Sequence, residues 1–119
     1  MAKYYAGIMA VVMLVFSSCY YDVEEDIYPS LECSTENITF DNAIENIIKN
    51  RCYKCHNAAT NTAGINLEGY ANLKKYADNG KLLGTVAHKP GFSPMPKNEP
   101  KLVACEIAKI EAWIAAGTP

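Results

Sequence analysis

From residue 40 onward, apolar residues recur at the spacing of helix faces and do not alternate with polar residues as in a half-buried strand. Ile44, Ile47 and Ile48 stand at positions i, i+3 and i+4, which places them on one face of a helix. Asp41 belongs to a residue type that caps helices, and we expect it to cap this one. The helix is predicted to run directly into Arg51 and Cys52.

Two more short helices are predicted in the middle of the chain. They follow a loop over residues 57–68, which is rich in Asn, Thr and Gly and has no helical period. Residues 69–79 form the first of these helices, which ends at Gly80, and residues 81–88 form the second. The side chains expected to face inward from the two helices are Leu73, Tyr76, Ala77, Leu82, Leu83 and Val86.

The C-terminal part is predicted to consist of a proline-rich loop and a last helix. Residues 89–100 contain four prolines, which predict an extended loop. A helix over residues 103–116 follows, and Gly117 ends it. Its inward stripe is expected to consist of Val103, Ile107, Ile110 and Ile114, with Trp113 beside it. The pattern therefore predicts an all-α domain of about four short helices joined by long loops, over residues 37–119.

The N-terminus carries the pattern of an export signal. A basic start is followed by thirteen uncharged residues, 4–16, which as a helix span about 20 Å, whereas a bilayer core measures about 30 Å. We therefore predict a signal peptide over residues 1–18, with an uncleaved anchor as the alternative. Phe16-Ser17-Ser18-Cys19 resembles a bacterial lipobox, so Cys19 is expected to carry lipid; the alternative is a plain secretory signal with a chance cysteine.

Residues 19–36 differ in charge from the rest of the chain. Residues 20–36 hold six acidic residues and neither Lys nor Arg, so we predict an acidic tether. The segment resembles the surface-export signal of Bacteroidetes lipoproteins, although composition alone suits a solvated spacer equally well. From residue 37 onward, ten Lys and Arg face seven Asp and Glu, a net charge of +3. The whole chain has a net charge of −2, which gives no indication of a nucleic-acid partner.

The sequence Cys52-Tyr53-Lys54-Cys55-His56 is the motif with the most specific chemistry. A CxxCH run is the attachment signature of c-type haem: the two thiols bond the haem and the histidine is an iron ligand. Half of a zinc site is one alternative, but it needs a second clustered pair of ligands. A thioredoxin-type redox pair is another, but it needs a βαβ setting that this pattern lacks.

Met95 is the first candidate for a second iron ligand. It is the only methionine outside the predicted signal peptide, and prolines flank it on both sides. A thioether suits haem iron, and Met/His ligation is common in cytochromes c. His88 is the other candidate, and a gap-filling methionine is the plainer alternative. We expect an open apolar slot whose walls include Leu67, Leu82, Val86 and Trp113.

From residue 38 to the C-terminus the chain resembles small mono-haem cytochrome c domains of the planctomycete type, which also occur in Bacteroidetes lipoproteins. The matching segments are residues 40–42, the Cys52–His56 motif, residues 64–70, Pro94-Met95-Pro96-Lys97 and residues 110–117. The resemblance implies a cytochrome c-like helical bundle around one covalent haem, with His56 and Met95 as axial ligands. One departure is Val103-Ala104, where the family usually opens its last helix with Ser or Asp.

Two cysteines remain once the others are assigned. Cys19 is assigned to lipid and the Cys52–Cys55 pair to haem, which leaves Cys33 and Cys105. Because an exported protein folds in an oxidising compartment, we predict a disulfide between them.

These features together predict an electron carrier rather than an enzyme, exported and lipid-anchored to a membrane. It would act on redox partner proteins, with no small-molecule substrate. A haem peroxidase or ligand sensor with an open distal site is the alternative. A haem subunit of a membrane oxidoreductase complex is a third possibility.

Overall fold

The computed structural model of the protein describes residues 33–119. The predicted signal peptide, Cys19 and residues 20–32 of the predicted tether lie outside the described residues. Within residues 33–119 the regular structure is helical and contains no strand, which confirms the all-α prediction at that level.

The first helical segment begins with a π-helical turn, Phe40–Ile44, and continues as helix α1, Glu45–Arg51. Thr39, not Asp41, caps it, so the predicted cap was wrong. The Thr39 hydroxyl accepts a hydrogen bond from the backbone N–H of Asn42, and the Asn42 side-chain oxygen accepts one from the backbone N–H of Thr39. This reciprocal pair is a capping box, which satisfies two backbone donors at once.

Two short helices follow at the predicted places. The loop over residues 57–68 contains a single 3₁₀ turn, Thr62–Gly64, and helix α2 spans Tyr70–Asp78. Helix α3 spans Lys81–Val86. Gly80 separates the two helices with a φ of +75°, a left-handed conformation that glycine adopts at little cost.

The last helix, α4, spans Ala104–Ala115 after a loop that contains all four prolines of residues 89–100. Ile110 and Trp113 are fully buried on its inner face, as the stripe predicted. Val103 departs from that stripe because it stands at the N-cap, where it is 51% exposed and no side chain caps the helix. Gly117 follows the helix with a φ of +86°.

The core of the domain draws on every α-helix. Within it Trp113 lies against Phe40 and Tyr70, and the Phe40 and Tyr70 rings are edge to face at 5.5 Å. The buried apolar side chains are Ile38, Ile44, Ile47, Ile48, Leu67, Leu73, Ala77, Leu82, Val86, Leu102, Ile110 and Trp113.

A disulfide joins Cys33 to Cys105 with a Cα–Cα distance of 5.4 Å, which confirms the predicted pairing. It links the start of the described chain to α4. Beside it, the Arg51 guanidinium donates to the Glu106 carboxylate at 3.0 Å, which links the end of α1 to α4 as well. None of the helices in residues 33–119 combines the length and apolarity needed to cross a bilayer.

Candidate functional site

The CxxCH motif forms a turn directly beyond the end of α1. The N–H of Cys52 still donates to the Ile48 carbonyl at 2.8 Å, as in a continuing helix. The N–H groups of Cys55 and His56 then both donate to the Cys52 carbonyl, at 3.1 and 2.9 Å. The backbone of the motif therefore forms a tight turn around the Cys52 carbonyl. Cys52 is half-buried, Cys55 is exposed, and neither sulfur is bonded to another.

The loop over residues 57–68 holds the His56 ring in one orientation. The Nδ1 atom lies 3.2 Å from the Ile65 carbonyl oxygen, and the His56 carbonyl accepts a hydrogen bond from Leu67 N–H at 2.8 Å. A carbonyl oxygen can only accept, so Nδ1 carries the proton and donates. In a neutral imidazole Nε2 then keeps its lone pair, the state in which histidine binds metals.

A cleft of about 550 Å³ opens beside this histidine. Its volume falls within the ~300–1,000 Å³ range of small-molecule and cofactor sites. The walls come from the CxxCH turn, the following loop, α2, α3 and the proline-rich loop. Most of the side chains that line it are apolar, and they include Ile65, Leu67, Leu82, Val86, Phe92 and Met95, together with Cys52 and His56.

The structure separates the two candidates for a second ligand. Met95 is half-buried and lines the cleft, whereas His88 is exposed and does not line it. The Nε2 atom of His88 instead donates to the backbone carbonyl of Met95 at 3.1 Å. Cys52, His56 and Met95 therefore share one cleft, and the His88 side chain is hydrogen-bonded to it through the Met95 carbonyl.

Three expected walls, Leu67, Leu82 and Val86, line the cleft, but Trp113 does not. Trp113 is 0% exposed because its ring is enclosed by the core and its Nε1–H donates to the Pro119 carbonyl at 2.9 Å. Cys55 does not line the cleft either.

Phe92 is a wall residue that the sequence pattern does not reveal. Its ring lies on the backbone of α3 at Gly84, so closely that a Cβ at Gly84 would stand 2.5 Å from ring carbons. A glycine within a short apolar helix was the available signal, because such a glycine often permits close packing. The sequence did not indicate that the ring packed on Gly84 would be that of Phe92, eight residues further along the chain.

Burial raises the pKa of the Cys52 thiol to about 11. The carboxylate of Glu106 acts in the same direction, and Arg51 opposes both. At neutral pH Cys52 is therefore a thiol and not the thiolate that a thioredoxin-type pair requires. Zinc is no better supported: Cys33 and Cys105 are bonded to each other, and within residues 33–119 no three His, Cys, Asp or Glu side chains are grouped to hold a metal ion.

Comparisons with protein-family models, with curated proteins and with solved structures find no match.

Proposed function

We propose that this protein is an exported mono-haem c-type cytochrome that transfers electrons. The observation that carries the proposal is His56. It completes a CxxCH motif, it lines an apolar cleft, and the Ile65 carbonyl fixes its tautomer so that Nε2 is free to bind a metal.

The residues around the cleft suit a haem group. A haem needs an apolar slot, two thiols at a fixed spacing and nitrogen or sulfur ligands for its iron. The cleft provides the volume and the apolar walls, and the turn at the end of α1 provides the unbonded Cys52 and Cys55. Lys81 lines the same cleft and could face a propionate.

Each chain residue then has a defined task. Cys52 and Cys55 would hold the haem covalently: each S–H would add across one vinyl C=C to give a thioether, which needs no oxidant. His56, through Nε2, and Met95, through its sulfur, would be the protein ligands of the iron, and the apolar side chains would exclude water from it. When bound, the haem supplies a one-electron Fe(III)/Fe(II) couple, and Met/His ligation raises its potential.

The visible spectrum of the full chain tests this proposal. The protein is produced with a c-type haem maturation system, and its spectrum is recorded before and after dithionite. We expect haem that survives denaturation, with sharp bands on reduction. The double variant Cys52→Ala/Cys55→Ala should lose covalent haem, and the matched double variant Cys33→Ser/Cys105→Ser should keep it. Wild-type protein without covalent haem would refute the proposal.

The role of Met95 distinguishes an electron carrier from a haem peroxidase or ligand sensor. If its sulfur binds the iron, small ligands are blocked in the wild type. Met95→Ala should then retain covalent haem, lower the reduction potential and bind added imidazole or cyanide more tightly. A wild-type protein that binds cyanide as readily as Met95→Ala would favour the open-site alternative.

The membrane anchor belongs to the same proposal. Mass spectrometry of the membrane fraction should find lipid on Cys19 as the first residue, and an unmodified Cys19 would contradict the anchor. Co-purification under mild detergent would separate a free carrier from a subunit of an oxidoreductase complex.

A further inference from the structure

His88 stands at an unusual place for a histidine. It follows the C-cap residue Ala87 of α3 and has a φ of +53°, in the left-handed region. His88 N–H donates to the Thr85 carbonyl at 3.3 Å and Lys89 N–H donates to the Gly84 carbonyl at 2.9 Å. These two bonds form a Schellman motif, whose left-handed position is usually glycine because other residues are strained there. Backbone strain of this kind is concentrated at functional sites, which points to a functional role for the side chain.

The side chain of His88 is hydrogen-bonded to Met95, the proposed second ligand of the iron. Its Nε2 donates to the Met95 carbonyl at 3.1 Å, while Met95 N–H donates to the Thr85 carbonyl, also at 3.1 Å. Both polar backbone groups of Met95 are therefore bound to the end of α3. The surrounding loop carries prolines on both sides of Met95, and Phe92 packs on Gly84. His88 supplies the one side-chain hydrogen bond that the structure gives to Met95.

We propose that His88 is a positioning residue that holds Met95 against the end of α3, and so keeps the thioether directed to the haem iron. The inference rests on the proposed role of Met95 as a ligand. His88 itself is not an iron ligand in this arrangement, because it does not line the cleft and its Nε2 serves the Met95 carbonyl.

Two variants separate positioning from simple stability. His88→Gly removes the donor and also relieves the left-handed strain, so the fold should be as stable as wild type or more so. His88→Gln keeps the strain and restores an N–H donor at a similar reach. Lys89→Ala changes the neighbouring exposed side chain and serves as the matched control.

The experiment measures imidazole binding to the ferric full-length protein, together with the far-red absorption of a sulfur–Fe(III) bond. We expect His88→Gly to weaken that band and to bind imidazole about five- to tenfold more tightly, the size of one lost hydrogen bond. Thermal stability should not fall. His88→Gln and Lys89→Ala should stay within about twofold of wild type on the same grounds. Wild-type imidazole affinity in His88→Gly, or no rescue by His88→Gln, would overturn the inference.

Amide hydrogen exchange keeps this test separate from the proposed function. Met95 N–H should exchange about five- to tenfold faster in His88→Gly than in wild type, whereas Thr62 N–H, bound to the Cys55 carbonyl, should not change. If the protein attaches no haem, the proposed function fails and the exchange rates alone decide whether His88 holds Met95. Unchanged exchange at Met95 would overturn the inference in either case.

Discussion

The corner around Trp113 and the cleft beside His56 are built in opposite ways. In the corner, three aromatic rings pack together, and the last residues of the chain close over them. The Pro119 carbonyl accepts hydrogen bonds from Phe40 N–H and from Trp113 Nε1–H, both at 2.9 Å, and Tyr70 donates to the Thr118 carbonyl at 2.9 Å. In the cleft, Met95 and His56 are half-buried and apolar walls face open space.

The difference shows how the domain divides its work. In the corner the side chains are packed against other protein atoms, and their polar atoms are hydrogen-bonded within the protein. The corner therefore contributes stability without any added group. The cleft leaves apolar surface uncovered, which is unfavourable unless something fills it. A bound group would therefore stabilise the cleft side far more than the corner.

The largest expected effect is in the corner. Trp113→Ala should lower the free energy of unfolding by about 3–5 kcal/mol, because it leaves a cavity and removes a donor from the Pro119 carbonyl. Phe92→Ala is the matched aromatic truncation at the cleft, where the residue is 38% exposed. Phe92→Ala should lower the free energy of unfolding by less than Trp113→Ala does, as measured by urea denaturation of the haem-free protein. Equal losses would mean that the corner and the cleft are not distinct in stability.

Removing the disulfide should come next in size. Cys33→Ser/Cys105→Ser opens a loop of 72 residues, which the chain-entropy model values at about 4 kcal/mol, with measured values commonly 2–4. Denaturation midpoints with and without reductant check this. Reductant should lower the wild-type midpoint and leave the double variant unchanged. Because the bridge lies away from the cleft lining, haem attachment should be unaffected.

The reactivity of Cys52 probes burial on the cleft side. With a pKa of about 11, its thiolate fraction at pH 8 is about 100-fold below that of an unperturbed thiol, whose pKa is about 9.0. In haem-free protein, iodoacetamide should therefore modify Cys52 slowly, and the rate should rise with pH up to about 11. Alkylation of Cys55→Ser, followed by mass spectrometry, measures it. Rapid modification at pH 8 would show that Cys52 is not buried as described.

The smallest effect is expected at the capping box. Thr39→Ala removes the acceptor for Asn42 N–H and should cost about 1 kcal/mol. Asp41→Ala is the control, since Asp41 does not accept the capping bond. Thermal denaturation compares the two variants. A greater loss of stability from Asp41→Ala than from Thr39→Ala would instead support Asp41 as the cap.

Much of the fold could be predicted because it depends on local patterns. The apolar spacing of Ile44, Ile47 and Ile48 and the stop signals at Gly80 and Gly117 depend on neighbours within a few residues. Asp41 was mistaken for the cap because a capping box with Asn at its third position, as in Thr39–Asn42, is a weaker signal than one with Glu or Gln.

The candidate site was only partly predictable, because its contacts depend on residues that are distant in sequence or that have an unusual backbone conformation. Trp113 was predicted to line the cleft because an apolar stripe cannot tell which side of the core it meets. The support of Met95 by His88 depends on a positive φ at residue 88, which no sequence rule assigns to histidine. The Cys33–Cys105 pair was an exception, because counting cysteines left a single pairing.

The hydrogen bond from Phe40 N–H to the Pro119 carbonyl has a consequence for the timing of folding. The first helical segment is bonded to a residue 79 positions further along the chain, so the corner cannot close until residues 117–119 have emerged as well. A chain translocated from its N-terminus would thus lack this contact while residues 117–119 were still in transit. For the export proposed above, late closure is an advantage, because a translocating chain has to remain unfolded until it is through.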